Sequence, residues 1–259
     1  MGKVERPLLD FVTKHAKTAD VFCFSEVTNG KVSTKLGNLN EHEVGKEYKK
    51  IVKNGCPNTF VKIKQSLPGF VGKFRSSNNY TTASGAKVPM GLACFVRKGL
   101  VVKESVSIIN ETEMVPHRFE RIMQILEVKK GSKKIWINSL HGISMPGSKL
   151  DTKERLLQSK NICRVLRYQR GKKLLGGDFN LMPNTKSVLT IEKQAMNNLI
   201  KTFKIRETRS SISHSQYQGR IRQHYADFAF ASRDVKVKNF EVPRINISDH
   251  LPLILEIEL

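Results

Sequence analysis

Cysteine is scarce in this chain, and over one long stretch acid is absent altogether. Four cysteines, Cys23, Cys56, Cys94 and Cys163, lie far apart with no Cys-x-x-Cys pair. That spacing fits neither a zinc knuckle nor a dense disulfide framework. Cys23, Cys94 and Cys163 stand among apolar neighbours and are expected to be small buried hydrophobes. No apolar run approaches the ~18–20 residues that cross a bilayer as a helix. The opening Met1-Gly2-Lys3-Val4-Glu5-Arg6 lacks the apolar core of a secretory signal, and no Ser or Thr stands where a myristoylation signal would need one. The default expectation is therefore an intracellular, cytoplasmic monomer. With no internal repeat, Ser/Pro-rich linker or low-complexity tract, residues 1–259 are read as one domain, a length that buries a single large core.

Residues 51–100 hold eight basic side chains and no acidic one, and the segment from Lys160 to Lys173 adds six more bases without an acid. Over the whole chain, 45 Lys and Arg face 23 Asp and Glu, a formal charge of +22. A field of this sign draws in polyanions and speeds their encounter without specifying a fold. The charge is either a solubilising surface or has a specific role, in which case nucleic acid is the favoured partner and an anionic membrane face comes second.

The apolar pattern predicts few helices and many strands. Leu8, Phe11, Val12, His15, Ala16 and Ala19 repeat at helical spacing after Pro7, and a second helix is predicted over Thr152–Tyr168. Further helices are predicted near Glu41–Val52 and over Ile191–Phe203. Short strands are expected at Val21–Phe24, Phe60–Ile63, Phe70–Phe74, Met90–Val96 and Ile122–Val128. Lys134–Leu140, Lys172–Gly176, Tyr225–Ala231 and Leu251–Leu259 complete the set. Without regular strand–helix alternation, this pattern implies two packed sheets with helices outside.

Chemistry concentrates in five places. In Leu174-Leu175-Gly176-Gly177-Asp178-Phe179-Asn180, an apolar strand runs through two glycines to a carboxylate and a carboxamide. On an extended backbone these share a face while Phe179 points inward. A carboxylate there can orient or deprotonate water, and an amide can hold a phosphoryl oxygen as its charge grows. Gly-Asp-x-Asn is also an ordinary turn. Ser248-Asp249-His250 offers an oxygen ligand beside an imidazole. Asp227 sits inside Tyr225-Ala226-Asp227-Phe228-Ala229-Phe230, where a carboxylate needs a partner, and His250 is a candidate. Glu26 follows a buried strand, and His141 ends Asn138-Ser139-Leu140-His141. Arg118 and Arg121, ahead of a core strand, could grip a phosphate bidentately or be solvated surface charge.

Taken in order, these motifs resemble the endonuclease/exonuclease/phosphatase superfamily. Glu26, Asn138 to His141, Gly177 to Asn180, Asp227 and Ser248 to His250 follow the family's sequence of an early Glu, Asn-x-His, Gly-Asp-x-Asn, a buried Asp and a terminal Ser-Asp-His. The resemblance runs from about Pro7 to Leu259. It implies an α/β (α+β) four-layer sandwich of the deoxyribonuclease I type, with two packed, mainly antiparallel sheets flanked by helices. It further implies a phosphoester hydrolase using Mg2+, with Mn2+ as a substitute. By resemblance, Glu26 and Asp249 bind the metal. Asp178 positions the attacking water, Asn180 contacts the phosphoryl group, and His250 lies beside the phosphate, oriented by Asp227. His141 is then a second histidine near the phosphate oxygens. The oxygen-rich donor set suits magnesium, which often keeps several waters.

Two departures stand out. Family members usually open with a strand ending in an Asn of the metal site, whereas this chain enters a helix almost at once, so it is expected to be N-terminally truncated relative to that pattern. Ser25 also stands where a glutamine is common. The leading expectation is a nuclease acting on nucleic acid. Hydrolysis of inositol phosphates or phospholipid head groups is the alternative, and a catalytically impaired binding or scaffold protein is a third.

Overall fold

A computed structural model describes residues 5–30, 58–81, 87–110, 120–213 and 223–259. The helix expected near Glu41–Val52 lies outside these residues. The chain gathers into two compact units, Met1–Lys98 and Gly99–Leu259.

In the first unit, α1 (Glu5–His15) precedes β1 (Val21–Thr28), α2 (Thr59–Ser66), β2 (Phe70–Thr81) and β3 (Lys87–Arg97). The strands form an antiparallel sheet in the order β1-β3-β2. Phe22, Phe24, Ala93 and Phe95 on the sheet meet Val12, Phe60, Ile63 and Leu67 from the helices in one core cluster. Ring edges meet faces there, as between Phe24 and Phe95 at 5.9 Å. The segment Phe60–Ile63, expected as a strand, is helical instead. Asn58 caps it by accepting from Val61 N at 3.3 Å, and Phe60, Ile63 and Leu67 fall on one helical face. Gly91 allows β2 and β3 to close, since a Cβ there would lie 1.9 Å from the Arg75 carbonyl oxygen. Cys94 and Cys163 are buried as expected, but Cys23 is exposed, because β1 is an edge strand among the described residues.

The second unit is built on a six-stranded sheet. Its strands are β4 (Val101–Ile108), β5 (Ile122–Lys130), β6 (Lys133–His141), β7 (Lys173–Asp178), β8 (Met196–Asn198) and β9 (Asp227–Ser232), in the order β4-β5-β6-β7-β9-β8. A separate antiparallel pair, β10 (Lys236–Glu241) and β11 (Ile254–Glu258), closes the chain. Among the described strands only β6 and β7 pair in parallel, so the sheet is mixed. The crossover between them carries α3 (Lys153–Tyr168), which buries Ile162, Cys163 and Leu166. Lys160, Arg164, Arg167 and Arg170 are exposed, so the basic run becomes one solvated stripe. No helix among the described residues is long and apolar enough to cross a membrane.

The predicted helix over Ile191–Phe203 is in fact three elements. α4 (Lys186–Glu192) ends, Ala195 turns with φ 58°, β8 pairs with β9, and α5 (Leu199–Thr202) restarts under an Asn198 cap. The open edge of β9 and the capping amide of Asn198 override the apolar periodicity.

The loop between β6 and α3 is anchored by a residue the sequence did not flag. Arg155 is fully buried and donates to four carbonyls, those of Ile143 (3.2 Å), Ser144 (3.2 Å), Pro146 (2.7 Å) and Leu150 (2.7 Å). Asp151 ties the same loop to α4, accepting from Lys186 N at 2.7 Å and Ser187 N at 2.9 Å. Arg155→Met is expected to lower the unfolding free energy by about 3–5 kcal/mol, because it strands several buried acceptors at once. Urea unfolding of the two proteins measures it; a loss below 1 kcal/mol would show that the carbonyls find other partners.

Candidate active site

β6, β7 and β9 bring the candidate residues to one end of the six-stranded sheet. The parallel register sets His141 beside Asp178, and the antiparallel register sets Asp178 opposite Asp227. Gly177, at φ 133°, allows β7 to press against β6, for a Cβ there would lie 2.1 Å from the Leu140 carbonyl oxygen. Asn180 sits at φ 52°, a left-handed conformation that Asn adopts more readily than most residues. Between the two, Phe179 is fully buried and packs edge-on against Phe228 and Phe230, the inward orientation the alternation predicts.

Asp178 is held on both oxygens. Oδ1 accepts from Asn180 N at 2.7 Å and Oδ2 from Asn180 Nδ2 at 3.2 Å, with His141 Nε2 at 3.6 Å and His250 Nε2 at 3.9 Å. Burial alone would raise the Asp178 pKa, but His250, His141 and Lys149 outweigh it and hold the carboxyl below its usual range.

His250 Nδ1 lies 2.7 Å from Asp227 Oδ2, the pairing expected from the sequence. Burial opposes charge on the ring, yet Asp227, Asp178 and Asp249 raise its pKa to about 10. Arg209 Nη1 approaches Nε2 at 3.3 Å and opposes protonation there. That guanidinium is itself opposed by Asp249, 3.3 Å from Nη2. Pairing with a histidine would by itself lower the pKa of Asp227. It is raised, because burial and the charge of Asp178 exceed the pull of His250.

Asp178, Asp227 and His250 each offer one ligand atom, all within 4.8 Å of one another, a set able to coordinate a divalent cation. Asp249 is more open, with 39% of its side chain exposed, and its Oδ2 lies 3.7 Å from His250 Nε2. Glu26 belongs to the other unit. It is exposed at a bulge in β1, with φ 56°, a placement that can re-aim a side chain. Arg121 is buried, donating to Ser144 Oγ at 3.0 Å, so it braces the loop after β6 rather than lying on the surface. Arg118 lies outside the described residues. Asn138 is likewise structural here, exchanging hydrogen bonds of 3.0 and 2.7 Å with Gln169.

Two site residues escaped the sequence reading. Lys149, buried, donates from Nζ to Asn180 Oδ1 and so fixes which way that amide faces. Burial lowers its pKa, against the raising charge of Asp178. Arg209, also buried, bridges His250 and Asp249. Each is a lone base in a polar loop, and only a bridge between Arg209 and His250, distant in sequence, reveals the second.

No protein-family model and no curated protein sequence matches the chain. Solved structures match by fold. A mannosyl-6-phosphatase of Bacteroides thetaiotaomicron aligns with a TM-score of 0.69 at 16% identity, over 100% of this chain and 91% of its own. An endonuclease/exonuclease/phosphatase from Bacteroides vulgatus gives 0.70 at 18% identity, over 99% of this chain and 90% of its own. D. rerio TDP2 complexed with a single strand DNA product gives 0.66 at 12% identity, over 100% and 93%. The structural neighbours consistently belong to the endonuclease/exonuclease/phosphatase superfamily, and this chain has their deoxyribonuclease-I-like α/β fold of mixed sheets and flanking helices.

Proposed function

We propose that this chain hydrolyses phosphodiester bonds by metal-assisted attack of water, with nucleic acid as its substrate. One observation carries the reading. At the end of one sheet, a buried carboxylate held ionised lies 3.9 Å from a histidine that is itself paired to a second buried carboxylate at 2.7 Å. An acceptor and a cation so placed serve the two ends of a displacement at phosphorus.

Asp178 accepts a hydrogen bond from the attacking water and takes its proton. Asn180 Nδ2, its orientation set by Lys149, donates to Asp178 Oδ2 at 3.2 Å and to the Gly142 carbonyl at 3.5 Å, and a hydrogen bond to a phosphoryl oxygen replaces the longer of these when substrate binds. The His250 cation, held by Asp227, stabilises the charge that builds on the phosphate while the ester oxygen's bond to phosphorus breaks, and the departing oxygen takes a proton from water. His141 Nε2 lies 3.6 Å from Asp178 Oδ2, and the Arg209 guanidinium adds positive potential around the same point. The donor set fits a hard divalent ion, Mg2+ or Mn2+, with Asp249 the accessible carboxylate and Glu26 its partner by resemblance. When bound, such an ion would neutralise charge on the phosphoryl group. The charge of +22 favours a polyanionic chain over a small ester. A second reading, hydrolysis of a small phosphate ester such as an inositol phosphate or a head group, draws on the mannosyl-6-phosphatase among the neighbours.

The test is a screen with and without Mg2+, Mn2+ and EDTA. Its substrates are DNA and RNA oligonucleotides, bis(p-nitrophenyl) phosphate, inositol phosphates and glycerophosphodiesters. Metal-dependent cleavage of oligonucleotides is the expected result. Turnover of small esters alone favours the second reading, and binding of nucleic acid without turnover of anything favours an inactive scaffold.

A further inference from the structure

A recess of about 390 Å³ opens in the second unit, with walls that include Pro183, Asn184, Lys201, Lys204, Arg206 and Tyr225. Its position follows from the sheet register. β8 runs antiparallel to β9, and Asn198 pairs with Phe230, three residues from Asp227. The chain therefore leaves β8 toward the sheet end where Asp178 and Asp227 are paired and continues directly into α5 at Leu199. Three separate segments join the recess to the catalytic cluster: Asn180 to Pro183, Arg209 to Arg206, and Asp227 to Tyr225. At roughly 3.3–3.6 Å per residue, none of these can span more than about 11 Å.

The walls suit an anionic strand. Lys201, Lys204 and Arg206 are exposed. The one acid among the lining residues is Glu192, which lies 3.8 Å from Lys201 and accepts from Asn198 at 2.9 Å. Tyr225 is half-buried, and its hydroxyl donates to the Ile205 carbonyl at 3.1 Å, which fixes its ring as a wall. The volume falls at the lower end of the ~300–1,000 Å³ typical of ligand sites, a size for one nucleotide unit rather than a duplex.

We infer that this recess is a subsite for the nucleotide flanking the scissile phosphodiester of a single strand, its neighbouring phosphates held by Lys201, Lys204 and Arg206. The assignment rests on the nucleic-acid reading above and adds where the strand runs past the catalytic cluster.

The test compares the wild-type chain with the triple variant Lys201→Ala, Lys204→Ala, Arg206→Ala. Binding of a fluorescent single-stranded oligonucleotide is followed by anisotropy across salt concentrations, with divalent ions chelated so that the strand stays intact. Each phosphate contact on a single strand contributes about 0.7 to the slope of log K against log salt, so the variant's slope should shrink by about 2. The thermal unfolding midpoint should not move, since the three side chains are exposed. An unchanged slope, or no strand binding by the wild type at the lowest salt, overturns the subsite. Loss of bis(p-nitrophenyl) phosphate hydrolysis by the variant also overturns it, because the residues would then belong to the catalytic cluster. If the wild type hydrolyses neither ester nor strand while the slope difference persists, the recess is a strand-binding site, and its assignment beside a scissile phosphodiester is overturned together with the catalytic reading.

Discussion

Asp178→Asn is expected to lower kcat by about 10²–10⁴-fold, the range of a lost general base, with KM little changed. The substitution keeps the shape of the side chain, but an amide cannot take a proton from water. It also sets an amide where Asn180 N and Asn180 Nδ2 now donate to the two carboxylate oxygens. The same residue leaves a signature in stability. Its pKa in the fold is below the ordinary 3.8, because His250, His141 and Lys149 overcome the cost of burial. A depressed carboxylate stabilises the fold above 3.8, and that contribution is lost as pH falls through the lower folded value. Urea unfolding should therefore show less acid-side loss in the variant than in the wild type. A kcat within tenfold of wild type would remove Asp178 from the chemistry.

For Asp227→Asn the expected loss in kcat is about 10–100-fold, the usual cost of removing a group that orients a working residue. The clearer readout is the charge on His250. Its pKa of about 10 rises against burial chiefly through Asp227, with Asp178 and Asp249 next. A histidine with a raised pKa stabilises the fold below 6.5 and loses that contribution as pH climbs through about 10. Without Asp227 the pKa should fall toward 6.5, so the ring would titrate near neutrality and activity would decline at lower pH than in the wild type. The ring proton resonances of His250, assigned with a His250→Gln sample, follow this directly. Asp227 is itself a carboxylate whose pKa is raised by burial, so removing its charge should offset part of the stability lost with the His250 pairing. A variant that keeps its His250 pKa near 10, or that shifts the metal midpoint as much as Glu26→Gln does, would place Asp227 in the metal site instead.

Residues that short contiguous motifs carry to the candidate site could be read from the sequence. Asp178, Asn180 and His250 lie at or beside strand ends bounded by glycine or Ser-Asp, and Asp227 shows itself as a carboxylate in an apolar run. The unread parts depend on partners far along the chain. Lys149 and Arg209 acquire meaning only when folding sets them on Asn180 and His250. Arg155 looks like a surface base of an amphipathic helix until its four carbonyl acceptors are seen. β4 was missed because its residues are half exposed and rich in Lys, Glu and Ser. The break at Ala195 was missed because apolar spacing there suits a helix and a strand equally.

Two carboxylates of the candidate site are also a ladder pair: Asp178 faces Asp227 in the register of β7 and β9. Successive side chains on a strand point to opposite faces. Deleting one residue within β9 would not merely shorten that strand. Re-pairing from its far end would bring Ala226 to the place of Asp227 and turn over every side chain of the strand that precedes the deletion. Evolution can thus edit this centre by exchanging residues but not by adding or losing them. Length variation among descendants should collect in the loops beyond the strand ends, leaving the spacing from Leu174 to Asp178 and from Asp227 to Ala231 fixed.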